Sequence, residues 1–441
     1  MEPSDILKIL KDEGFDEAVV STSSTRSIYI KIANSKVDSI VEKKNERGRL
    51  FVSKEKKVAF SNIERPDKQS IKLAIGNLKQ AINIAEPKPD YYGIAEGPFK
   101  YRSNFIFDKK ISEISIEEAS EIANQAISEF DVENIAGTLH LSSYTYSIAT
   151  TKRVEASTMG TEARLSLRIF KNGFSMQDYI ASRQLKEINL SKIKNSISML
   201  EYANGTGKVK SGKYDIIYMR SPAGLLFSNV NDMACIDSVE MGSFLSNKLG
   251  DKIANRDLSI YDDGSIESGI DSSPFDEEGY PTQRTPIIKN GILKSYLHNY
   301  STAKKYNTKS TGNAGLVNPS PNTMVLYHRK KKSLEKLISS IDKGIIVTNT
   351  WYTRFSNYLK GDFSTVPRDL AIYVEKGSPK FVIKNLGSSF GIGIRISDNI
   401  LRMLEKTTSV VNDTTQSTSW DSDSYYYTPS VLVEEVNIST V

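Results

Sequence analysis

SPAGLLFSNVNDMACIDSVEMGSFLSNKLG, residues 221–250, decides how the second half of this 441-residue chain is read. Its apolar residues, among them Leu225, Leu226, Val230, Met233 and Ala234, cover more than one face of a helical projection. A helix that is apolar on several faces has to lie inside a core. YDIIYMR, residues 214–220, alternates as a strand just before it, and the residues after 250 read mostly as strands and turns. Cys235 is the single cysteine. It permits no intrachain disulfide, and on an apolar helix it reads as a small buried hydrophobe.

Toward the N-terminus, GTGKVKSGK at 205–213 is Gly-rich and basic, with Val209 its one apolar residue, and reads as a linker. It would join an N-terminal α/β domain, 1–204, to a β-rich C-terminal domain, 214–441. In the first half EAVVSTSSTRSIYIKIAN, KVDSIVEKKN, GRLFVSKE and KVAFSNI alternate apolar and polar residues, with breaks at Asn34–Ser35 and at Glu46, Arg47 and Gly48. That pattern predicts an antiparallel meander with one wet face. Helices are expected over the other face: a short one capped by Ser4 and ended by Gly14, one through SIKLAIGNLKQAINIAEP up to Pro87, and one opening at Ser115 with two acids in its first turn. Strands resume in IAGTLHLSSYTYSIATT and TEARLSLRIF, and LSKIKNSISMLEYAN reads as a helix. Late in the chain SSFGIGIRISDNILRML reads as a strand feeding a helix, TTSVVNDTTQSTSWDSDSYYYTPS as an exposed loop, and PSVLVEEVNIST as a closing strand. The fold class expected is α+β: an antiparallel-sheet domain with covering helices, followed by a β-rich domain with one buried helix.

Five ordered blocks carry a resemblance. They are DDGSIESGIDSSPFDEEGYPTQRTPIIKNGILKSYLHNYSTAKKY at 262–306, STGNAG at 310–315, NPSPNT at 318–323, SLEKLISSIDKGIIV at 333–347 and GDFS at 361–364. Together they resemble the TldD/PmbA family, the so-called modulators of DNA gyrase, over roughly 210–441. The resemblance implies a metallopeptidase-like fold. TldD-type members carry an HExxxH zinc motif in the helix before the DDG segment, where this chain has FSNVND, residues 227–232. Phe227 cannot ligate a metal, Ser228 stands where the general base would be, and Asp232 alone would hold zinc weakly. The three histidines, His140, His298 and His328, are far apart, and none lies between 141 and 297. In TldD-type relatives a cysteine near the polar C-terminal segment completes the site, and that segment has none here. The chain therefore resembles the PmbA (TldE) branch, which has no zinc site and pairs with a TldD partner.

The same resemblance nominates residues for a peptide groove or a partner contact: Asp276, Glu277, Gly279, Thr282, Arg284, Thr311, Gly312, Asn313, Asn357 and Asp362. FDEEGYPTQRT is expected to be a turn in which Gly279 and Pro281 reverse the chain while acids pair with Arg284. The acids between Asp262 and Glu278 lack EF-hand spacing. STGNAG could form an anion-binding nest of backbone amides, although it lacks the Walker lysine.

With 58 basic and 53 acidic residues the formal net charge is +5, and no global field favours nucleic acid. The KKK run at 330–332 reads as a solvated segment. No window suits a signal peptide or membrane span, so the cytoplasm is expected. The leading function is a non-catalytic subunit that carries no cofactor, closes a chamber with a zinc-bearing TldD-like partner and helps to hold unfolded peptide, with a homodimer in isolation left open. The alternatives are a metal-independent hydrolase using carboxylates around Asp276 or Asp362, and a regulator associated with DNA gyrase.

Overall fold

Four strands of 17 to 19 residues, Glu17–Ala33, Lys36–Lys54, Asn134–Thr150 and Glu155–Lys171, form the body of the N-terminal sheet. The shorter Lys57–Ile63 and Phe174–Ser182 close its two edges, and all six strands are antiparallel. The computed structural model describes the whole chain apart from residues 204, 385–392, 420–421, 423 and 441. Asn34 and Ser35 turn the first hairpin with φ of +51° and +57°, the doubly positive turn whose twist matches its flanking strands. The break expected at 46–48 is absent. Gly48 is paired on both sides, to Thr22 and to Ile63, so the strand runs through it.

Helix Pro3–Asp12 starts one residue before the expected cap, because Pro3 occupies the first turn, where its missing N–H costs nothing. Ser4 therefore lies inside the helix. Asp67 caps Lys68–Ile84 through Ser70 N at 2.8 Å. Ser115 and Glu118 form a reciprocal capping box at the start of Ile116–Ser128. Helices 3–12 and 68–84 bury Ile6, Leu10, Ile75 and Leu78 against Val20, Leu50 and Val52 at one end of the sheet. At the other end Ala119, Ala123 and Ile193 pack on Leu139, Leu165 and Leu167. That second core continues into Ile346, Leu370 and Ile372, so the two halves share buried surface.

The C-terminal half holds a nine-stranded and a six-stranded sheet. The segment read as a linker is built into the larger one: Thr206 and Gly207 pair with Val382 and Ile383, and the strand Gly212–Tyr218 begins inside it. Helix Arg220–Ala234 lies between the sheets, with Leu226, Phe227 and Val230 packed among Tyr218, Ile260, Leu326 and Val347. It ends sooner than the 221–250 reading implies. Cys235 turns extended and bridges to Leu297, Ile236 N donates to Leu297 O, and only the short helix Ile236–Glu240 follows. The polar segment 407–430 is not an exposed loop. Its strands Thr407–Val411, Thr415–Ser417 and Tyr426–Thr428 join the two sheets, and Thr407, Ser417, Thr418, Thr428 and Ser430 are all buried. Their hydroxyls bond to backbone carbonyls or to Asp413, which lets a polar sequence enter a core. Part of that segment, and residues 388–392 of the expected strand before helix Ile400–Lys406, lie outside the described residues.

Candidate functional site

Alternation along the long strands leaves one face of the N-terminal sheet polar. Over it, the loops at 270–277 and 313–322 form a wall, enclosing a cleft of about 880 Å³. Ser21, Arg49 and Tyr146 line its sheet side, and Asp276, Glu277 and Asn313 its loop side. Arg49 Nη1 reaches Glu277 Oε1 at 2.6 Å across the cleft.

The wall is braced by buried carboxylates that have neutral donors as their hydrogen-bond partners. Asp276 accepts Glu278 N, Tyr280 N and Ala314 N at 3.0, 2.9 and 2.9 Å. Burial pushes its pKa up to about 7 against the pull of those amides. Glu278 accepts Ala95 N at 3.3 Å, and burial together with the nearby Asp276 raises it well above the usual carboxylate range. Asp262 is fully buried and accepts Asn231 Nδ2 at 3.1 Å, Asn313 Nδ2 at 2.7 Å, and Asn322 N and Nδ2 at 2.7 and 3.0 Å. Desolvation raises it to about 6.

Other nominated residues shape the same loops. Gly279 has φ +77° with Val154 Cγ1 2.3 Å from where a Cβ would sit, and its carbonyl accepts the Tyr101 hydroxyl at 2.8 Å. Gly312 has φ +69° and would place a Cβ 2.6 Å from Pro281 O. Both positions require glycine. Thr282 donates to Gly264 O and Ser273 O, and Thr311 Oγ1 donates to His298 O at 3.0 Å. Arg284 stacks 4.1 Å over Tyr261 and pairs with Asp263 at 3.7 Å, not with the acids of its own turn. The STGNAG amides do not form an open nest. Thr311 N goes to His298 O, Gly312 N to Ser310 Oγ, Ala314 N to Asp276 and Gly315 N to Asn318 O. Asn357 and Asp362 are not among the cleft-lining residues. They sit at the tip of the hairpin Lys343–Asn357/Asp362–Glu375, with Asp362 accepting Asn399 Nδ2 at 2.8 Å.

In the helix window, Phe227 is in the core and Ser228 Oγ donates to Leu225 O of its own helix at 3.1 Å. Asp232 is exposed. Asn231, not singled out in the sequence, ties the helix to Asp262. His140 stacks on Tyr29 and lies 3.3 Å from Glu162, burial pushes His298 down to about 4, and His328 accepts Lys330 N. Among the described residues no three His, Cys, Asp or Glu side chains cluster as metal ligands. The sheet side of the cleft was missed by sequence reading, since Ser, Thr and Tyr on the polar face of a strand carry no spacing that marks a site. Tyr425 was missed as well. Its hydroxyl donates to Glu162 at 2.5 Å and its N–H to Asp271 at 2.9 Å, pinning the C-terminal segment over the cleft.

Two sheets around a buried helix, joined to a long antiparallel sheet beside a polar cleft, make this an α+β fold. The chain belongs to the PmbA/TldD family: the PmbA/TldA metallopeptidase C-terminal domain matches residues 211–440. A metalloprotease PmbA homologue of Buchnera aphidicola from Acyrthosiphon pisum is 29% identical over 281 residues, covering 62% of this chain and 57% of the relative. A metalloprotease TldD homologue of the same organism is 37% identical over 112 residues, 24% of this chain and 23% of the relative. The crystal structure of TldE from Thermococcus kodakarensis superposes with a TM-score of 0.85 at 21% identity over 99% of each chain, which establishes the shared fold.

Proposed function

We propose that this chain is a non-catalytic, TldE-like subunit that acts with a zinc-bearing TldD-type chain on unfolded peptides. The reading rests on the helix 220–234. Where TldD-type relatives place their zinc motif, Phe227 fills the core and Asn231 holds Asp262, so the helix is fixed by packing and hydrogen bonds. The cleft above the motif loops supplies a polar groove for peptide, and the partner supplies the metal and its activated water. This reading places the complex in the cytoplasm. A hydrolase built on Asp276 is the weaker reading: the carboxyl lines the cleft and burial raises it, but three backbone amides already bind it.

The test is proteolysis of an unstructured peptide by the purified chain, by a TldD-type partner and by the mixture, with zinc measured in each. Zinc confined to the partner and turnover that rises in the mixture are expected. Metal-free turnover by this chain alone, or stoichiometric zinc on it, would overturn the proposal.

A further inference from the structure

The strand Lys343–Asn357 changes character along its length. At Gly344–Val347 it is paired on both sides, to Asp215–Tyr218 and to the strand Asp362–Glu375. Beyond Val347 only the second pairing continues, and among the described residues no strand joins the other edge of 352–357. That edge is not a regular template for another strand: its ladder slips between Trp351 and Arg354 and again between Phe355 and Asn357, and Tyr352 has a φ of +51°, so what the hairpin tip offers is its exposed side chains.

Those side chains are large. Tyr352, Tyr358 and Leu359 are 48%, 56% and 55% exposed, and Met241, next to the glycine that approaches Leu359 Cδ2, is 70% exposed. Trp351 stacks on Tyr352 with centroids 4.3 Å apart, and Phe355 on Tyr358 at 4.9 Å. Each of these rings thus packs against a neighbour, and side chains already held by such contacts lose less freedom on binding. Aromatic residues, Met and Arg are the types enriched where proteins bind proteins.

The rim is basic. Arg354, Lys360 and Arg395 are exposed, and none forms an ion pair among the described residues. Arg354 donates to Thr353 O and lies over Tyr352, and Arg395 donates to Ser364 Oγ. Of the nearby carboxylates Asp398 is paired with Arg402, and Asp362 accepts the neutral Asn399 amide, so the three cations outnumber the one unpaired acid. We infer that the outer half of this hairpin, with Met241 beside it, is a docking surface for a different folded chain whose apolar contact is flanked by acidic residues. A second copy presenting the same face would oppose like charges. Under the function proposed above, on which the inference rests, the occupant is the TldD-type subunit.

Hydrogen–deuterium exchange of the full chain, alone and with a TldD-type subunit, tests this. Complex formation with slowed exchange at 351–360 and 241–242 is expected. Leu359→Asp should weaken the complex at least tenfold while leaving the melting temperature of the isolated chain unchanged, and Arg354→Glu should weaken it by a smaller factor. A complex that forms with the hairpin unprotected, and that tolerates Leu359→Asp, would overturn the docking surface and leave the subunit reading intact. No complex at all would overturn both. Hairpin protection on concentrating the chain alone, with a dimer in sedimentation, would make a second copy the occupant and overturn the inferred partner.

Discussion

The loops at 262–323 and the hairpin tip at 351–362 both carry family motifs, yet they deploy their functional groups in opposite directions. Around the cleft Asp262, Asp276 and Glu278 are turned inward and held by amide donors of the chain itself. At the hairpin Tyr352, Arg354, Tyr358 and Leu359 are exposed. A polar group satisfied internally supports the fold, whereas one left to water is available to a ligand. The first region should therefore govern stability and the second association.

The sharpest way to break that contrast is Asp262→Ala. It leaves the amides of Asn231, Asn313 and Asn322 without their shared acceptor in a buried site, a loss of about 1–3 kcal/mol for unsatisfied buried donors. A shift of denaturation midpoint as small as that of an exposed substitution would show that the network is dispensable.

A smaller effect is expected from pH. Asp276 and Glu278 are raised by burial, so the native state holds their protons more tightly than the unfolded chain does. Their protonation favours the fold at acid pH. That contribution is lost as pH rises from the ordinary carboxylate range through about 7, the folded value for Asp276. Glu278→Gln should flatten this dependence, gaining more stability relative to the wild type at pH 8 than at pH 5. An unchanged slope in urea unfolding across that range would contradict it.

The smallest effect belongs to Arg49→Ala. Its pair with Glu277 spans the cleft, but the two side chains are 44% and 36% exposed, and solvent screens such contacts to about 0–1 kcal/mol. A change above ~2 kcal/mol in the unfolding free energy would mean that this bridge is part of the internal scaffold after all.

How far the sequence anticipated these regions follows from where the information lies. Alternation in Glu17–Ala33 and Asn134–Thr150 made the sheet legible, and Ser115 with Glu118 marked a helix start by local hydrogen bonding alone. Gly48 misled because a glycine looks like a turn until its two cross-strand partners are known. The 407–430 segment misled for a related reason. Hydroxyl side chains read as solvated, and only contacts with carbonyls distant in sequence allow them to be buried. Asn313 and Asp276 were legible as motif residues. That Asn313 bonds to Asp262, and Ala314 to Asp276, was not, since a hydrogen bond across 51 or 38 residues leaves no periodic trace.

By itself the sequence determined the family of the second half, the absence of histidine between 141 and 297, and the alternating strands of the first half. These are matters of residue identity and local period, and they hold in any conformation. The tertiary structure decided that the polar sheet face and the motif loops enclose one cleft, that Asn231 ties the helix to Asp262, and that the strand ending at Asn357 has an open edge. Each depends on residues far apart in the chain being brought within a few ångströms, and only the packed fold fixes those distances.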